Sequence, residues 1–156
     1  RRDRDKARHN CRMGVTVAVL IDAPLEKVWQ AAADLATHVE WMADAERIVF
    51  QTPQRAGVGT RMEVLTRIGP FTITDEMEVT GWDPPHQITV RHQGLVTGEG
   101  EFRLDPVAGG VVFTWSEILH FPWHLGGPLG ASLTQPLFRW IWRRNLTRLR
   151  ERLTRV

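Results

Sequence analysis

The chain of 156 residues is 42% hydrophobic and 24% charged with a net charge of +2, proportions that fit a globular protein and exclude a fibrous or disordered one. No segment approaches the roughly 20 consecutive apolar residues that cross a bilayer, and no secretory signal is recognisable, so we expect a cytoplasmic protein. The only cysteine, Cys11, excludes an intrachain disulfide and a cysteine-based zinc site.

Residues 1–12, RRDRDKARHNCR, form a basic segment in which six Lys or Arg residues accompany two Asp. The segment shows no apolar periodicity, so it is predicted to be a disordered leader. Residues 13–156 are predicted to form a single domain. Because residues 139–155 also carry seven Arg against one Glu, the part of the chain between these two basic segments is acidic.

The first regular elements are a strand and two short helices. Val15, Val17, Val19 and Ile21 recur at every second position, which is the pattern of a half-buried strand. Pro24 suits the first turn of a helix, which is predicted over about residues 25–35. A second short helix is predicted over about residues 37–42.

The middle of the chain follows the two-residue period of β-strands. Strands are predicted near 46–52, 60–68, 71–82, 86–93, 96–105 and 110–121. The links between them, such as RAGVG, DPP and VAGG, have the composition of turns. Links this short join antiparallel neighbours, so we expect an antiparallel meander rather than βαβ units.

The last element is a long amphipathic helix. The motif GGPLG is interpreted as a break, and the helix is predicted to begin at Thr134 or Gln135 with Pro136 in its first turn. One stripe of this helix carries Phe138, Trp142, Leu146, Leu149 and Leu153. Trp140 falls opposite the stripe among arginines, where it either contacts a membrane or a partner, or is covered by the segment FPWHLGGPLG.

This order of elements resembles the helix-grip fold of the START-like (SRPBCC) superfamily. The phrases IDAPLEKVWQAAAD, AGVGTRMEV, GWDPPHQITVRHQG and RNLTRLRERL are similar to its polyketide cyclase/dehydrase and lipid-transport branch, and the resemblance covers about residues 14–155. It implies an α+β fold in which a seven-stranded curved antiparallel sheet surrounds a long C-terminal helix, with two short helices after strand 1. Such a sheet and one helix leave an apolar cavity between them, suited to small hydrophobic ligands.

Three ionisable side chains, Asp75, His92 and Glu117, fall on the predicted inward face of the sheet, each alternating with apolar residues. A buried carboxylate is costly unless it is paired or protonated, and either state suits acid–base chemistry, so these three are the candidate catalytic residues. Other interpretations remain open. The carboxylates could form structural ion pairs with Arg61 or Arg91, face water through a bulge, or orient a ligand.

The expected ligand-binding residues join these three to apolar positions of the sheet and the last helix. They are Phe71, Ile73, Asp75, Met77, Val90, His92, Phe102, Phe113, Trp115, Glu117, Leu133, Leu137 and Ile141. No cofactor is expected. His120 and His124 have the i, i+4 spacing of a helical metal pair, but Pro122 lies between them, so no metal site is expected.

Two functions remain open at this stage. The first is a cytoplasmic protein that carries or sequesters a lipid, quinone or polyketide-like molecule in the cavity. The second is a cyclase or aromatase in which Asp75, His92 or Glu117 moves protons. Nucleic-acid binding is not expected, because the acidic body opposes it, whereas the Arg-rich last helix allows transient contact with a membrane surface.

Overall fold

A computed structural model describes residues 10–155, and its elements follow the predicted order. The first strand, β1, spans Asn10–Ile21 and therefore begins before the predicted domain boundary. Residues 10–12 of the expected leader belong to this strand, and residues 1–9 lie outside the described residues. The strand is followed by α1 (Leu25–Ala33), a 3-10 turn (Leu35–Thr37) and α2 (His38–Trp41).

Seven strands form one antiparallel sheet in the order β1-β7-β6-β5-β4-β3-β2. The remaining strands are β2 (Ala45–Phe50), β3 (Arg61–Ile68), β4 (Phe71–Asp83), β5 (Gln87–Gln93), β6 (Thr97–Val107) and β7 (Gly110–Pro122). Strands β2 to β6 each pair with the next strand along the chain, as their short turns require, and β1 completes the sheet by pairing with β7. The predicted α+β helix-grip fold is confirmed.

The sheet buries one face against the helices. Val15, Val17 and Val19 on β1 and Phe113 and Trp115 on β7 are each at most 8% exposed, and they alternate with more exposed neighbours. Val17 lies opposite Trp115 and Val19 opposite Phe113, so the apolar residues of the two strands share the inner face. Burial of these side chains at about 25 cal/mol per Å² of apolar surface is the main force that holds the sheet to the helices.

The C-terminal helix, α3, spans Gly127–Thr154, so the prediction that it begins at Thr134 or Gln135 is wrong. Glycine and proline predict a break when taken alone. Here Gly126 adopts a φ of 103° just before the helix, and a proline occupies the first turn, where its missing N–H costs nothing. Pro136 therefore lies inside the helix, on its exposed side.

The inner stripe of α3 packs on the sheet as predicted, and Trp142 and Leu146 are at most 5% exposed. A polar residue within the stripe, Asn145, is fully buried. Its Nδ2 donates to Asp44 Oδ1 at 2.6 Å, and its Oδ1 accepts from the Ala43 N–H at 2.9 Å. Asn145 thus joins α3 to the link between α2 and β2.

The outer side of α3 faces solvent. Trp140 is 58% exposed, and the Arg144 guanidinium lies 5.4 Å from the centre of its ring. The interpretation in which the segment FPWHLGGPLG covers Trp140 is therefore wrong. Within residues 10–155, no helix combines the length and the apolarity that crossing a membrane requires.

Candidate functional site

The three candidate catalytic side chains meet on the inner face of the sheet. His92 on β5 places Nδ1 2.5 Å from Asp75 Oδ2 on β4, and Nε2 2.9 Å from Glu117 Oε2 on β7. His92 and Glu117 are buried, and the Asp75 side chain is 14% exposed. All three point inward, as their alternation predicts, and both carboxylates bind the same imidazole. We call these residues the His92 cluster.

The cation that pairs with the two carboxylates is this histidine, and the alternative of pairing with Arg61 or Arg91 is wrong. Both arginine side chains are exposed. The bulge between β4 and β5 falls at Val79 and Gly81, beyond the cluster, so it does not turn the carboxylates toward water.

A glycine of β6, Gly100, makes the contact between His92 and Glu117 possible. These two side chains lie on β5 and β7, which are separated by β6. The β6 residues beside them are Gly98, opposite His92, and Gly100, opposite Glu117. A Cβ at Gly100 would stand 2.5 Å from both oxygens of the Glu117 carboxylate. The absence of a side chain there lets the glutamate reach across the strand to the histidine.

His92 is held as an imidazolium. Burial alone would lower its pKa, but the hydrogen bonds to Asp75 and Glu117, together with their negative charges, outweigh burial and raise the pKa from 6.5 to about 10. At neutral pH both ring nitrogens therefore carry hydrogens, and each donates to one carboxylate.

The two carboxylate oxygens that do not contact His92 differ in their hydrogen bonding. Glu117 Oε1 accepts a hydrogen bond from Trp115 Nε1 at 2.8 Å, so both of its oxygens are satisfied. Asp75 Oδ1 is buried and has no hydrogen-bond partner among residues 10–155. A buried acceptor without a partner costs about 1–3 kcal/mol, so this oxygen is the one that gains most from a bound hydrogen-bond donor.

A cavity with two adjoining lobes lies between the sheet, α2 and α3. The inner lobe, of about 80 Å³, is bordered by Leu35, His38, Met42, Ile48, Met62, Val64, Met77, Ile88, Val90, Gly100, Glu101, Phe102, Trp115 and Glu117. The outer lobe, of about 120 Å³, is bordered by Met42, Asp44, Ala45, Val64, Thr66, Ile68, Ile73, Asp75, Met77, His92, Val96, Trp115, Glu117, Leu119, Phe121, Phe138 and Trp142. The walls are mainly apolar, and the whole His92 cluster borders the outer lobe.

Most of the expected ligand-binding residues border one of the two lobes. They are Ile73, Asp75, Met77, Val90, His92, Phe102, Trp115 and Glu117. Phe113 and Ile141 are buried in the core but border neither lobe.

Phe71, Leu133 and Leu137 do not border the cavity, so their assignment to it is wrong. Phe71 begins β4 beside the β3–β4 turn, at the end of the sheet, where its side chain is 72% exposed. Leu133 and Leu137 are exposed because they lie on the side of α3 away from the buried Trp142, so they face away from the sheet.

His38 borders the inner lobe and was not expected from the sequence. Burial lowers its pKa from 6.5 to about 4, although a hydrogen bond to Ala32 and the charge of Asp34 act in the opposite direction. The neutral ring donates from Nε2 to the Ala32 carbonyl at 2.8 Å. Its i, i+3, i+7 spacing with Leu35 and Met42, the period of one helix face, was the available signal.

Metal ligation has no support in the described part of the chain. Among residues 10–155, no group of three or more His, Cys, Asp or Glu residues could hold a metal ion. His120 lies on β7 and His124 in the following 3-10 turn, Trp123–Leu125, so the two histidines do not share a helix.

The family model for polyketide cyclase/dehydrase and lipid transport matches residues 12–154. A search of the curated proteins finds no match. Similarity to solved structures is extensive in coverage but low in sequence identity. A START superfamily protein from Mycobacterium smegmatis has a TM-score of 0.73 and 14% identity over 90% of this chain and 96% of that one.

Two further structures come from named enzymes or biosynthetic pathways. The truncated norcoclaurine synthase of Thalictrum flavum has a TM-score of 0.70 and 15% identity over 95% of this chain and 97% of that one. The di-domain ARO/CYC BexL from the BE-7585A biosynthetic pathway has a TM-score of 0.74 and 16% identity over 93% of this chain. This chain spans 51% of BexL, about half of its length. At such identities these likenesses show the fold alone.

Proposed function

Because the chain belongs to the polyketide cyclase/dehydrase and lipid transport family, we propose that it binds a small hydrophobic molecule between the sheet and α3, as a carrier or sequestering protein. The observation that supports this proposal is a mainly apolar cavity with the His92 cluster in the wall of its outer lobe. Apolar walls with a few fixed polar groups are typical of small-molecule sites, in which the polar groups set the orientation of the ligand.

The His92 cluster favours a ligand that donates a hydrogen bond. Both N–H groups of the imidazolium are already engaged, whereas Asp75 Oδ1 has no partner among the described residues. With all three groups ionised, the cluster has a formal charge of −1, so an anionic head group would be repelled. Of the lipid, quinone and polyketide-like classes, molecules with a hydroxyl or phenol group therefore fit best.

The lobes favour a compact ligand. Their volumes of about 80 and 120 Å³ are below the roughly 300–1,000 Å³ of many ligand pockets. Met42, Met62 and Met77 border them, and methionine changes rotamer readily, so the cavity can enlarge around a ring system at little cost.

The first experiment is native purification followed by solvent extraction and mass spectrometry. A stoichiometric extracted molecule would support the carrier function and reveal its class. The second is titration with 2-naphthol and with its methyl ether, which lacks the donor. We expect 2-naphthol to bind at least about tenfold more tightly, because only it can donate to Asp75 Oδ1.

Matched variants test the contributions of the cavity and of the His92 cluster to binding separately. Asp75→Asn should abolish the preference for 2-naphthol, whereas Asp22→Asn, at an exposed position, should retain it. Met42→Trp should weaken both probes, because Met42 borders both lobes but lies outside the cluster. Equal binding of both probes by Met42→Trp and the parent protein would contradict the proposed cavity.

The second candidate function is a cyclase or dehydrase that uses the same cluster for proton transfer. The observation in its favour is a buried imidazolium between two carboxylates, of which one has a free acceptor oxygen among the described residues. In an intramolecular aldol step, Asp75 would accept the proton from the carbon beside a carbonyl, and the resulting enolate carbon would form a bond to a second carbonyl carbon of the same molecule. The alkoxide formed there would take the proton back from Asp75, and loss of this hydroxyl with a hydrogen from the adjacent carbon, as one water molecule, would complete the dehydration.

This function is tested with a reactive poly-β-carbonyl chain. Mass spectrometry would follow the loss of water, and single-turnover rates would be compared for the parent protein, Asp75→Asn and Glu117→Gln. Acceleration that both variants reduce by at least about a hundredfold would support an enzyme. Tight binding of the poly-β-carbonyl probe without acceleration would contradict the enzyme function and support the carrier function.

A further inference from the structure

The N-terminal half of α3 carries a second apolar stripe that faces away from the sheet. Leu129, Leu133, Leu137 and Trp140 are 78%, 77%, 42% and 58% exposed. Their spacing of four, four and three residues places them on one side of the helix, opposite the buried Trp142. We call these four residues the outer stripe. A helix that is apolar on two faces has one of them available to a further partner.

Other exposed apolar side chains lie at the same end of the sheet as the start of α3. The strand register places the end of β3, the start of β4, the β5–β6 turn and the end of β7 at this end. These segments carry Phe71, Leu95 and, just after β7, Trp123, which are 72%, 50% and 65% exposed. The start of the outer stripe and these three residues therefore lie at the same end of the molecule.

The outer lobe of the cavity also reaches this end of the molecule. Its border includes Ile68, Ile73, Phe121 and Phe138, all of which are partly exposed. Ile68 and Ile73 flank the β3–β4 turn, and Phe121 lies close to Trp123 along the chain. The exposed apolar side chains therefore lie at the same end of the molecule as these partly exposed residues of the outer lobe.

Arginines accompany the outer stripe. Arg139, Arg143, Arg144 and Arg148 are exposed on the same helix, and Arg144 lies over the ring of Trp140. No Asp or Glu occurs between Gly127 and Arg150. The charge on this side of α3 is therefore uniformly positive.

We propose that this surface docks onto an anionic lipid bilayer. Large apolar side chains flanked by arginine are suited to the membrane interface, where the leucines and tryptophans enter the boundary with the acyl chains and the arginines meet the phosphates. A two-fold contact with a second copy would bring arginine against arginine, without a carboxylate on this part of the helix to compensate. Charge complementarity therefore favours the anionic surface.

Docking in this orientation sets the outer lobe against the bilayer. If the chain binds a hydrophobic molecule as proposed above, that molecule would pass between cavity and membrane without crossing water. The docking surface itself depends only on exposure and charge, so it can be tested without the ligand.

The test is vesicle flotation with the full chain, using phosphatidylcholine vesicles with and without 30% phosphatidylglycerol, about a third of the lipid being anionic. We expect binding to the anionic vesicles that weakens as salt is raised. Leu129→Ser/Leu133→Ser should bind at least about tenfold more weakly. The control Leu20→Ser, at an exposed leucine on β1, should bind like the parent protein.

The charge component is tested with Arg139→Gln/Arg143→Gln/Arg144→Gln, for which we expect roughly a hundredfold weaker binding. Its control is Arg47→Gln/Arg61→Gln/Arg91→Gln, which removes the same charge from exposed positions of the sheet. Equal effects of the two triple variants would overturn the proposal, because net charge alone would then explain binding.

Two further outcomes decide between occupants of the surface. Absence of flotation with anionic vesicles would overturn the proposal, and a dimer lost in Leu129→Ser/Leu133→Ser would then assign the outer stripe to a second copy. Titration with 2-naphthol is measured on the same variants. Retained probe binding with lost flotation would support docking as a separate property, whereas lost probe binding with retained flotation would contradict only the proposed cavity function.

Discussion

At the scale of single residues, the residue that allows the His92 cluster to form is Gly100, which has no side chain. Glu117 and His92 approach each other over Gly100, whose added Cβ would stand 2.5 Å from both glutamate oxygens. Gly100 has an ordinary backbone conformation, because its φ is not among the positive values of the described glycines. A substitution there therefore acts on Glu117 rather than on the strand.

We predict that Gly100→Ala displaces the Glu117 carboxylate and lowers the pKa of His92, because the imidazolium loses one of its two hydrogen-bonded partners. The free energy of unfolding should fall by about 1–3 kcal/mol. NMR titration of the histidine ring measures the first effect, and denaturant unfolding the second. Gly14→Ala is the matched control, since a Cβ at Gly14 meets no atom within 4 Å. An unchanged His92 titration in Gly100→Ala would contradict this account.

At the scale of elements, Asn145 determines how the long helix is held against the wall of the cavity. Its side chain bonds Asp44 and the Ala43 N–H, and Asp44 borders the outer lobe. The same helix therefore carries the apolar stripe that closes the core and the amide that fixes the link between α2 and β2. Loss of this amide would remove both hydrogen bonds that join α3 to this link.

We predict that Asn145→Ala lowers the free energy of unfolding by about 1–3 kcal/mol, because two partly buried hydrogen bonds are lost from a fully buried side chain. Urea unfolding measures this loss. Arg148→Ala, at an exposed position of the same helix, should change stability by less than about 0.5 kcal/mol. Equal stability of Asn145→Ala and the parent protein would show that water replaces the amide.

The sequence predicted the elements better than their contacts. Alternation within each strand placed Asp75, His92 and Glu117 on one face correctly, because the side-chain period of a strand is independent of its partners. It could not show that Glu117 reaches His92, because that contact depends on register across three strands and on glycine in the middle one. The start of α3 was predicted wrongly because local propensity treats Gly and Pro as helix breakers. In this helix they instead mark the start, since Gly126 lies just before the helix and a proline occupies its first turn.

At the scale of the whole molecule, two buried histidines titrate in opposite directions. The unfolded chain releases its histidine protons near pH 6.5, whereas folded His92 keeps its proton up to about pH 10. Its stabilising contribution is therefore complete below pH 6.5 and is lost as the pH rises toward 10. His38 stays neutral down to about pH 4, so its contribution is complete above pH 6.5 and is lost as the pH falls toward 4.

We predict that these two groups together favour maximal stability near pH 6.5. His92→Gln should flatten the alkaline side of the profile of unfolding free energy against pH, and His38→Gln should flatten the acid side. Chemical unfolding at several pH values between 4 and 10 measures both slopes. His86→Gln, at an exposed position, is the control for the loss of a histidine that is not buried. If the parent protein and His92→Gln have the same alkaline slope, His92 is not held as the imidazolium in the folded chain.

The pairing of the first strand with the last also bears on how the protein is made. The side chains of Thr16 and Ser116, which meet at 3.1 Å, are 100 residues apart along the chain. At a ribosomal rate of about 5–20 residues per second, β1 waits roughly 5–20 s for β7 to be synthesised. During that interval its row of valines is uncovered, and α3, which covers the inner face of β1 in the finished fold, emerges only after β7. The nascent domain is therefore most prone to aggregation before α3 has left the ribosome.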